Sequence, residues 1–237
     1  MMISCVRLHR PGSPPPGNVG LRVALVAAVL ACALADRVGA AVLPEARPLL
    51  SKLESALAPL HDFQAGFVQV RHIDLTDENI EARGRLKFLA PDSFRLDYLE
   101  PDADVLAMQG DSMLVYFPSM NQAQRHLVDR QDATRNIFLL FASRKGELGS
   151  RFDISLAPPG PGGPALRLQP LAGTLDYPIQ EIVVRPHSKS GLPEELYFRE
   201  EGGDTVVFRL SSIKTNRNIT RADFVFVPPA GTEILDR

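Results

Sequence analysis

The regular alternation of apolar and charged residues constrains this chain more than any other feature of its sequence. Across residues 80–88, charged residues separate an apolar or glycine set made up of Ile80, Ala82, Gly84, Leu86 and Phe88. Residues 93–98 repeat the pattern with Phe94, Leu96 and Tyr98. A period of two places successive side chains on opposite faces of a β-strand. Each such strand therefore has one face against apolar material and the other in water.

Short runs of the same character recur along most of the chain and predict about ten strands in all. The further strand candidates are residues 105–108, 113–117, 152–156, 166–168, 179–184, 196–199, 205–213 and 224–227. The pattern is the same on both sides of the Pro/Gly-rich loop at 157–164, which indicates one domain.

Only two segments are helix candidates. In residues 45–58 the leucines recur at helical spacing, and Pro48 suits the first turn. Residues 132–143 contain an apolar run at 137–141, which fits a buried helix and equally a buried strand. Two helices cannot cover a sheet this wide. The sheet must fold into a packed sandwich or curve around the helices and leave a cavity.

The N-terminal segment has the features of a secretory signal. Arg7, Arg10 and Arg22 precede an unbroken apolar run at residues 23–35, which is shorter than the roughly 20 residues of a membrane-spanning helix. We expect residues 1–40 to be the signal, with cleavage near 35 or 40, and residues 41–237 to be the mature domain. A tilted membrane anchor is the alternative.

Both cysteines, Cys5 and Cys32, lie within this predicted signal. The mature chain would then have no disulfide, thiol nucleophile or cysteine metal ligand. Residues 29–32 loosely match a lipoprotein cleavage box, so lipidation of Cys32 would instead give an anchored protein.

The remaining sequence argues against catalysis and nucleic-acid binding. It has no Gly-x-Ser-x-Gly elbow, His-Glu-x-x-His helix or phosphate-binding glycine loop. His61, His72, His126 and His187 lack metal-ligand spacing. A formal net charge of −2 does not suggest a basic nucleic-acid footprint. We expect a binding protein without a metal or a cofactor.

Several stretches match a known family in order and spacing. They are Phe-x-x-x-Phe-x-Gln at 63–69, Gly-Arg-Leu-Lys-Phe at 84–88, Tyr-Leu-Glu-Pro at 98–101, Leu-Val-Tyr-Phe-Pro at 114–118 and Phe-Val-Phe-Val-Pro-Pro-Ala-Gly-Thr at 224–232. In this order the chain resembles the LolA family of periplasmic outer-membrane lipoprotein carriers over roughly residues 45–235. No single stretch is specific to this family, but the set of stretches in this order is.

The resemblance implies a mainly β fold, in which a single curved antiparallel sheet forms a half-open β-barrel with helices as plug and lid over an apolar cavity. It implies a periplasmic carrier that takes triacylated lipoproteins from an inner-membrane exporter and passes them to an outer-membrane receptor. An envelope sensor with the same half-barrel, or an anchored lipoprotein receptor, is the alternative.

The apolar residues of the strands and of the two helical segments are the predicted lipid-binding set. They are Leu49, Leu53, Leu57, Phe67, Leu86, Phe88, Phe94, Leu96, Tyr98, Met108, Met113, Val115, Ile137, Phe138, Leu140 and Phe141. Phe94 matches a family phenylalanine implicated in cargo handling. Family members often carry an arginine before the proline at 91 that latches the lid, but this chain has Ala90. Arg85 and Arg95 are the candidates to replace it.

Overall fold

The computed structural model describes residues 41–127, 146–171 and 179–236. The predicted signal at 1–40 lies outside the described residues. So does the helix candidate at 132–143, with Ile137, Phe138, Leu140 and Phe141. These parts of the sequence interpretation stay predictions.

Within the described residues the chain forms twelve strands, two α-helices and three short 3₁₀ turns. The helices are α1 (Arg47–Leu57) and α2 (Leu148–Arg151). The strands are β1 (Asp62–Ile73), β2 (Glu78–Leu89), β3 (Ser93–Glu100), β4 (Val105–Gln109), β5 (Ser112–Phe117), β6 (Gln122–Leu127), β7 (Phe152–Leu156), β8 (Leu166–Pro170), β9 (Ile179–Pro186), β10 (Pro193–Glu200), β11 (Thr205–Thr215) and β12 (Glu233–Asp236). The 3₁₀ turns are Pro44–Ala46, Pro118–Met120 and Arg221–Phe224.

All twelve strands belong to one sheet in the order β12-β6-β5-β4-β3-β2-β1-β11-β10-β9-β8-β7. Sequential strands pair as antiparallel hairpins on each side, and β1 joins the two halves by pairing with β11. The pair β12–β6 is parallel. The strands at the two ends of this order are not paired with each other, so the sheet is open. This confirms the predicted mainly β fold with a single curved sheet and few helices.

The strand register carries one apolar row across five neighbouring strands. Phe63 stands opposite Phe88, Phe88 opposite Phe94, Phe94 opposite Met108, and Met108 opposite Met113. We call the face that bears this row the inner face and the opposite one the outer face. The alternation noted in the sequence thus becomes a division of the whole sheet into two faces.

Helix α1 lies against the inner face. Pro48 occupies its first turn, and Leu50, Leu53 and Leu57 are buried along one side. These leucines belong to a single core cluster that includes residues of strands β7 to β11 and β1 to β4. Just before the helix, Val42 forms a parallel bridge with Ile154 of edge strand β7.

Gly84 allows β1, β2 and β3 to pack closely on the inner face. A Cβ atom at this position would lie 2.4 Å from the carbonyl oxygen of Asp97 and 2.5 Å from the ring of Phe67. Phe67 also makes an edge contact with Tyr98, with ring centroids 5.3 Å apart. The absence of a side chain at 84 therefore determines where this aromatic ring sits.

The outer face is partly covered by the C-terminal segment, and here the strand predicted at 224–227 is wrong. Arg221–Phe224 is a 3₁₀ turn closed by a capping box between Thr220 and Asp223, and residues 225–229 are not in a strand. Pro228 and Pro229 have no backbone N–H for a sheet ladder. Phe224 is 2% exposed, and Phe226 packs on Tyr116 of β5 at 5.4 Å between centroids.

Asp223 fastens this segment to the sheet. Its carboxylate accepts hydrogen bonds from the backbone N–H of Thr220 and from Nζ of Lys87, the latter at 2.9 Å. These bonds lower the pKa of Asp223 to about 2, with the Thr220 N–H as the largest cause. The carboxyl group is therefore ionised in the folded chain at neutral pH. Its stabilising effect is present above the unfolded pKa of about 3.8 and is lost as the pH falls towards 2.

We predict that Gly84→Ala destabilises the fold by about 1–3 kcal/mol, because the added methyl group meets backbone as well as the Phe67 ring. Gly202→Ala is the matched control, since a Cβ there has open space and no positive φ. Urea unfolding followed by circular dichroism measures both. Equal stability of the two variants would contradict the packing described at Gly84.

Candidate functional site

The candidate site is the inner face between the sheet and α1. Two parallel rows of side chains cross it from β1 to β5. The first is the row that runs from Phe63 to Met113. The second contains Ala65, Leu86, Leu96, Leu106 and Val115, each opposite the next. Every side chain in the two rows is apolar.

Burial decreases along these rows. In the first row, Phe88 and Phe94 are 1% and 0% exposed, and Met108 is 2% exposed, whereas Met113 on β5 is only partly buried. In the second row, Leu86 and Leu96 are buried, but Leu106 and Val115 are partly exposed. The surface thus passes from a packed core at β2 and β3 to an accessible apolar strip at β4 and β5.

The structure places every described residue of the predicted lipid-binding set on this face or on α1. Those in the buried core are Leu53, Leu57, Phe67, Leu86, Phe88, Phe94, Leu96 and Met108. Those partly buried are Leu49, Tyr98, Met113 and Val115. The structure therefore brings the twelve described residues together on one side of the sheet, and their role in lipid binding remains a prediction.

Sequence reasoning missed the contribution of the second half of the sheet. A cavity of about 10 Å³ lies between β1, β10 and β11, and it is lined by Leu60, Phe63, Leu192, Pro193, Leu210 and Ile213. Phe208 of β11 packs against Phe67 at 5.7 Å between centroids. The alternation in residues 205–213 could have predicted this contribution, because it places Phe208 and Leu210 on the inner face.

One polar pair lies within the apolar surface. The hydroxyl group of Tyr98 donates a hydrogen bond to Oε1 of Gln69 at 2.7 Å. Burial, with a smaller effect from the Asp104 carboxylate, raises the pKa of Tyr98 to about 12. The pair is therefore neutral at physiological pH and its donor is satisfied, so it adds little polarity to the surface.

Two hydrogen bonds and one close approach supplement the buried leucines that hold α1 in place. Nζ of Lys52 donates to the backbone carbonyl of Ser188 in the β9–β10 turn. In the same turn, Gly191 adopts a φ of +75°, and a Cβ there would lie 3.2 Å from the Cβ of Ala56. On the other side, Oε1 of Glu54 accepts a hydrogen bond from the backbone N–H of Gly146 at 2.9 Å, beside a groove of about 450 Å³.

The hypothesis that Arg85 or Arg95 latches this helix is wrong. Both residues occupy odd positions between the inward-facing residues of β2 and β3, so their side chains lie on the outer face. Arg95 forms an ion pair with Asp97 at 2.7 Å and donates to the carbonyl of Asp223. Ala90 donates its backbone N–H to the carbonyl of His61 at 2.8 Å, and its side chain packs against the core cluster.

Two negative findings apply to the described residues alone. Among residues 41–127, 146–171 and 179–236, no group of three or more His, Cys, Asp or Glu side chains is arranged to hold a metal ion. In the same ranges, no helix is long and apolar enough to cross a bilayer.

The chain matches a known protein family and several of its members. Residues 59–227 match the model of the family described as outer membrane lipoprotein carrier protein LolA. An outer-membrane lipoprotein carrier protein of Alkalilimnicola ehrlichii is 29% identical over 174 residues, covering 73% of this chain and 77% of the relative. One from Bordetella avium is 25% identical over 208 residues, covering 84% and 96%.

Among solved structures, the LolA superfamily protein NE2245 from Nitrosomonas europaea is similar with a TM-score of 0.42 and 14% identity, covering 76% of this chain and 97% of that one. The family match spans well over half of the sequence and includes β1 to β11, whereas α1 and β12 lie outside it. The chain therefore belongs to the LolA family of outer-membrane lipoprotein carrier proteins.

Proposed function

We propose that this chain is a periplasmic carrier that holds the acyl chains of triacylated lipoproteins against the inner face, under α1. It receives them from an exporter in the inner membrane and delivers them to a receptor at the outer membrane. The observation that supports this most is the pair of apolar rows whose burial decreases from β2 towards β5.

The hydrophobic effect supplies enough free energy for such binding. Removing one methylene from water is worth about 0.8 kcal/mol, so an acyl chain of about 15 methylenes gains roughly 12 kcal/mol on complete burial. An exposed ion pair contributes only ~0–1 kcal/mol. Partial burial on the strip at β4 and β5 keeps the affinity below this maximum, and a carrier needs that in order to release its cargo.

Admitting an acyl chain beneath α1 requires the helix to move. A cavity of about 10 Å³ is close to the smallest that holds one water molecule. We take α1 to be the movable element, because side-chain contacts hold it against the sheet, whereas continuous ladders of backbone hydrogen bonds hold the strands. Met108 and Met113 lie side by side on the inner face. Methionine side chains adapt readily to irregular apolar partners.

We predict that Met113→Glu weakens binding of a synthetic tripalmitoyl-cysteinyl peptide at least about tenfold, because it places a charge on the partly exposed end of the apolar row. Isothermal titration measures the affinity. Phe94 and Leu53 are less suitable sites, since both are 0% exposed and a charge there would unfold the chain.

The matched control is Leu75→Glu, which adds the same charge at a hairpin tip where the side chain is 93% exposed. It should bind the peptide like the parent chain. Unchanged binding by a folded Met113→Glu variant, with circular dichroism like that of the parent, would contradict a binding surface at β4 and β5.

A second prediction tests the movement of α1. Ala56→Cys together with Gly191→Cys places two thiols near disulfide geometry, for which the mean Cβ–Cβ distance is about 3.8 Å. The oxidised variant should not bind the tripalmitoyl peptide, and reduction should restore binding.

The two single-cysteine variants serve as controls for the substitutions, including the backbone strain at position 191. They are made in the chain from residue 41 onward, which has no other cysteine. If the cross-linked protein binds the peptide as well as its reduced form does, α1 does not gate the inner face.

A further inference from the structure

A second concave surface lies on the outer face of β1, β2, β3 and β11. This outer groove has a volume of about 680 Å³ and is lined in part by Gly66, Arg85, Lys87, Arg95, Leu99 and Lys214. Its size falls within the roughly 300–1,000 Å³ range of ligand sites. The lipid surface proposed above is on the other side of the same strands, so one site does not obstruct the other.

Local backbone irregularity accompanies the groove. The pairing of β1 with β11 changes register between Gln64 and Gly66, and Ser212 adopts a φ of +52°. Gly66 has no side chain, and a Cβ there would come within 3.0 Å of Oγ of Ser211. The middle of the groove is therefore floored by backbone and small groups, with long side chains at its borders.

The charge of the groove is opposite in sign to that of the chain. Four cationic side chains line it, namely Arg85, Lys87, Arg95 and Lys214. Two carboxylates neutralise part of this charge, because Lys87 pairs with Asp223 at 2.9 Å and Arg95 pairs with Asp97 at 2.7 Å. A formal excess of two positive charges remains, although the chain as a whole has a net charge of −2.

The excess charge belongs to Arg85 and Lys214. Both side chains are exposed, and within the described ranges neither forms an ion pair. The paired cations are different, since the side chains of Lys87 and Arg95 are only 31% and 19% exposed. The groove thus combines two fixed cations with two that remain available to a ligand.

We infer that the outer groove binds an acidic, extended peptide segment of a protein partner. A flat membrane surface would meet protruding cations, whereas these line a depression between strands. Several separated cations suit several carboxylates along a chain better than they suit one compact anion. Leu99, which is 53% exposed at the border, offers an apolar contact beside the charges. This inference goes beyond the proposed lipid carriage and does not depend on it.

The test uses a fluorescein-labelled decaglutamate peptide and fluorescence anisotropy at low salt, about 0.05 M. The parent chain should bind it, and binding should weaken strongly at about 0.5 M salt, where exposed charges are screened. The double variant Arg85→Ala/Lys214→Ala should bind about tenfold more weakly. Failure of the parent chain to bind the peptide at low salt would overturn the inference.

The matched control is Arg47→Ala/Lys189→Ala, which removes the same charge from exposed positions outside the groove. It should bind like the parent, and an equal loss would mean that only overall charge matters, which also overturns the inference. Vesicles of phosphatidylglycerol in phosphatidylcholine form the second arm. Binding to vesicles that depends on Arg85 and Lys214 and exceeds binding to the peptide would assign the groove to a membrane instead.

Binding of the tripalmitoyl-cysteinyl peptide by the same variants separates the two proposals. Arg85→Ala/Lys214→Ala should retain it fully, because both side chains are on the outer face. Loss of lipopeptide binding in this variant would show that the groove is not an independent site and would overturn the inference while leaving lipid carriage intact.

Discussion

The burial of apolar residues of the inner face under α1 is the interaction on which the rest of the described structure depends. Strands β1 to β5 direct two rows of apolar side chains to the same side, and α1 covers part of it through Leu50, Leu53 and Leu57. Among the described residues, this eleven-residue helix covers only part of the twelve-stranded sheet. Leu106, Met113 and Val115 remain partly exposed at β4 and β5, and the proposed function places contact with an acyl chain there.

The division into two faces followed from the sequence, because a period of two fixes which residues share a side. The same alternation places Arg85 and Arg95 on the outer face, because each is next to an inward-facing residue, and it therefore excludes them as a latch for α1. This conclusion could have been drawn from the sequence alone. The conformation of residues 224–227, in contrast, could not be predicted from the sequence pattern. Phe224 and Phe226 do alternate, but they pack on the outer face as a crossing segment held by Asp223 and Arg95. Such a packing depends on long-range contacts that local pattern does not encode.

The two faces suggest a separation of tasks. In the proposed function, binding on the inner face is apolar and adaptable, and the contacts of α1 with the β9–β10 turn control it. On the outer face, the outer groove is bordered by two ion pairs and by Arg85 and Lys214, which form no ion pair within the described residues. Electrostatic contacts of this kind favour partner recognition and fast association more than affinity. A carrier with this arrangement can dock a partner without exposing its cargo.

Carriage of lipoprotein acyl chains on the inner face is tested most directly by identifying what the protein holds after purification. The full chain is expressed with its N-terminal segment in a Gram-negative host and analysed by native mass spectrometry. We predict a population whose added mass is that of a triacylated lipoprotein and which loses it on addition of detergent. A protein that carries no lipid-bearing species and takes up no lipoprotein from spheroplasts would contradict the account.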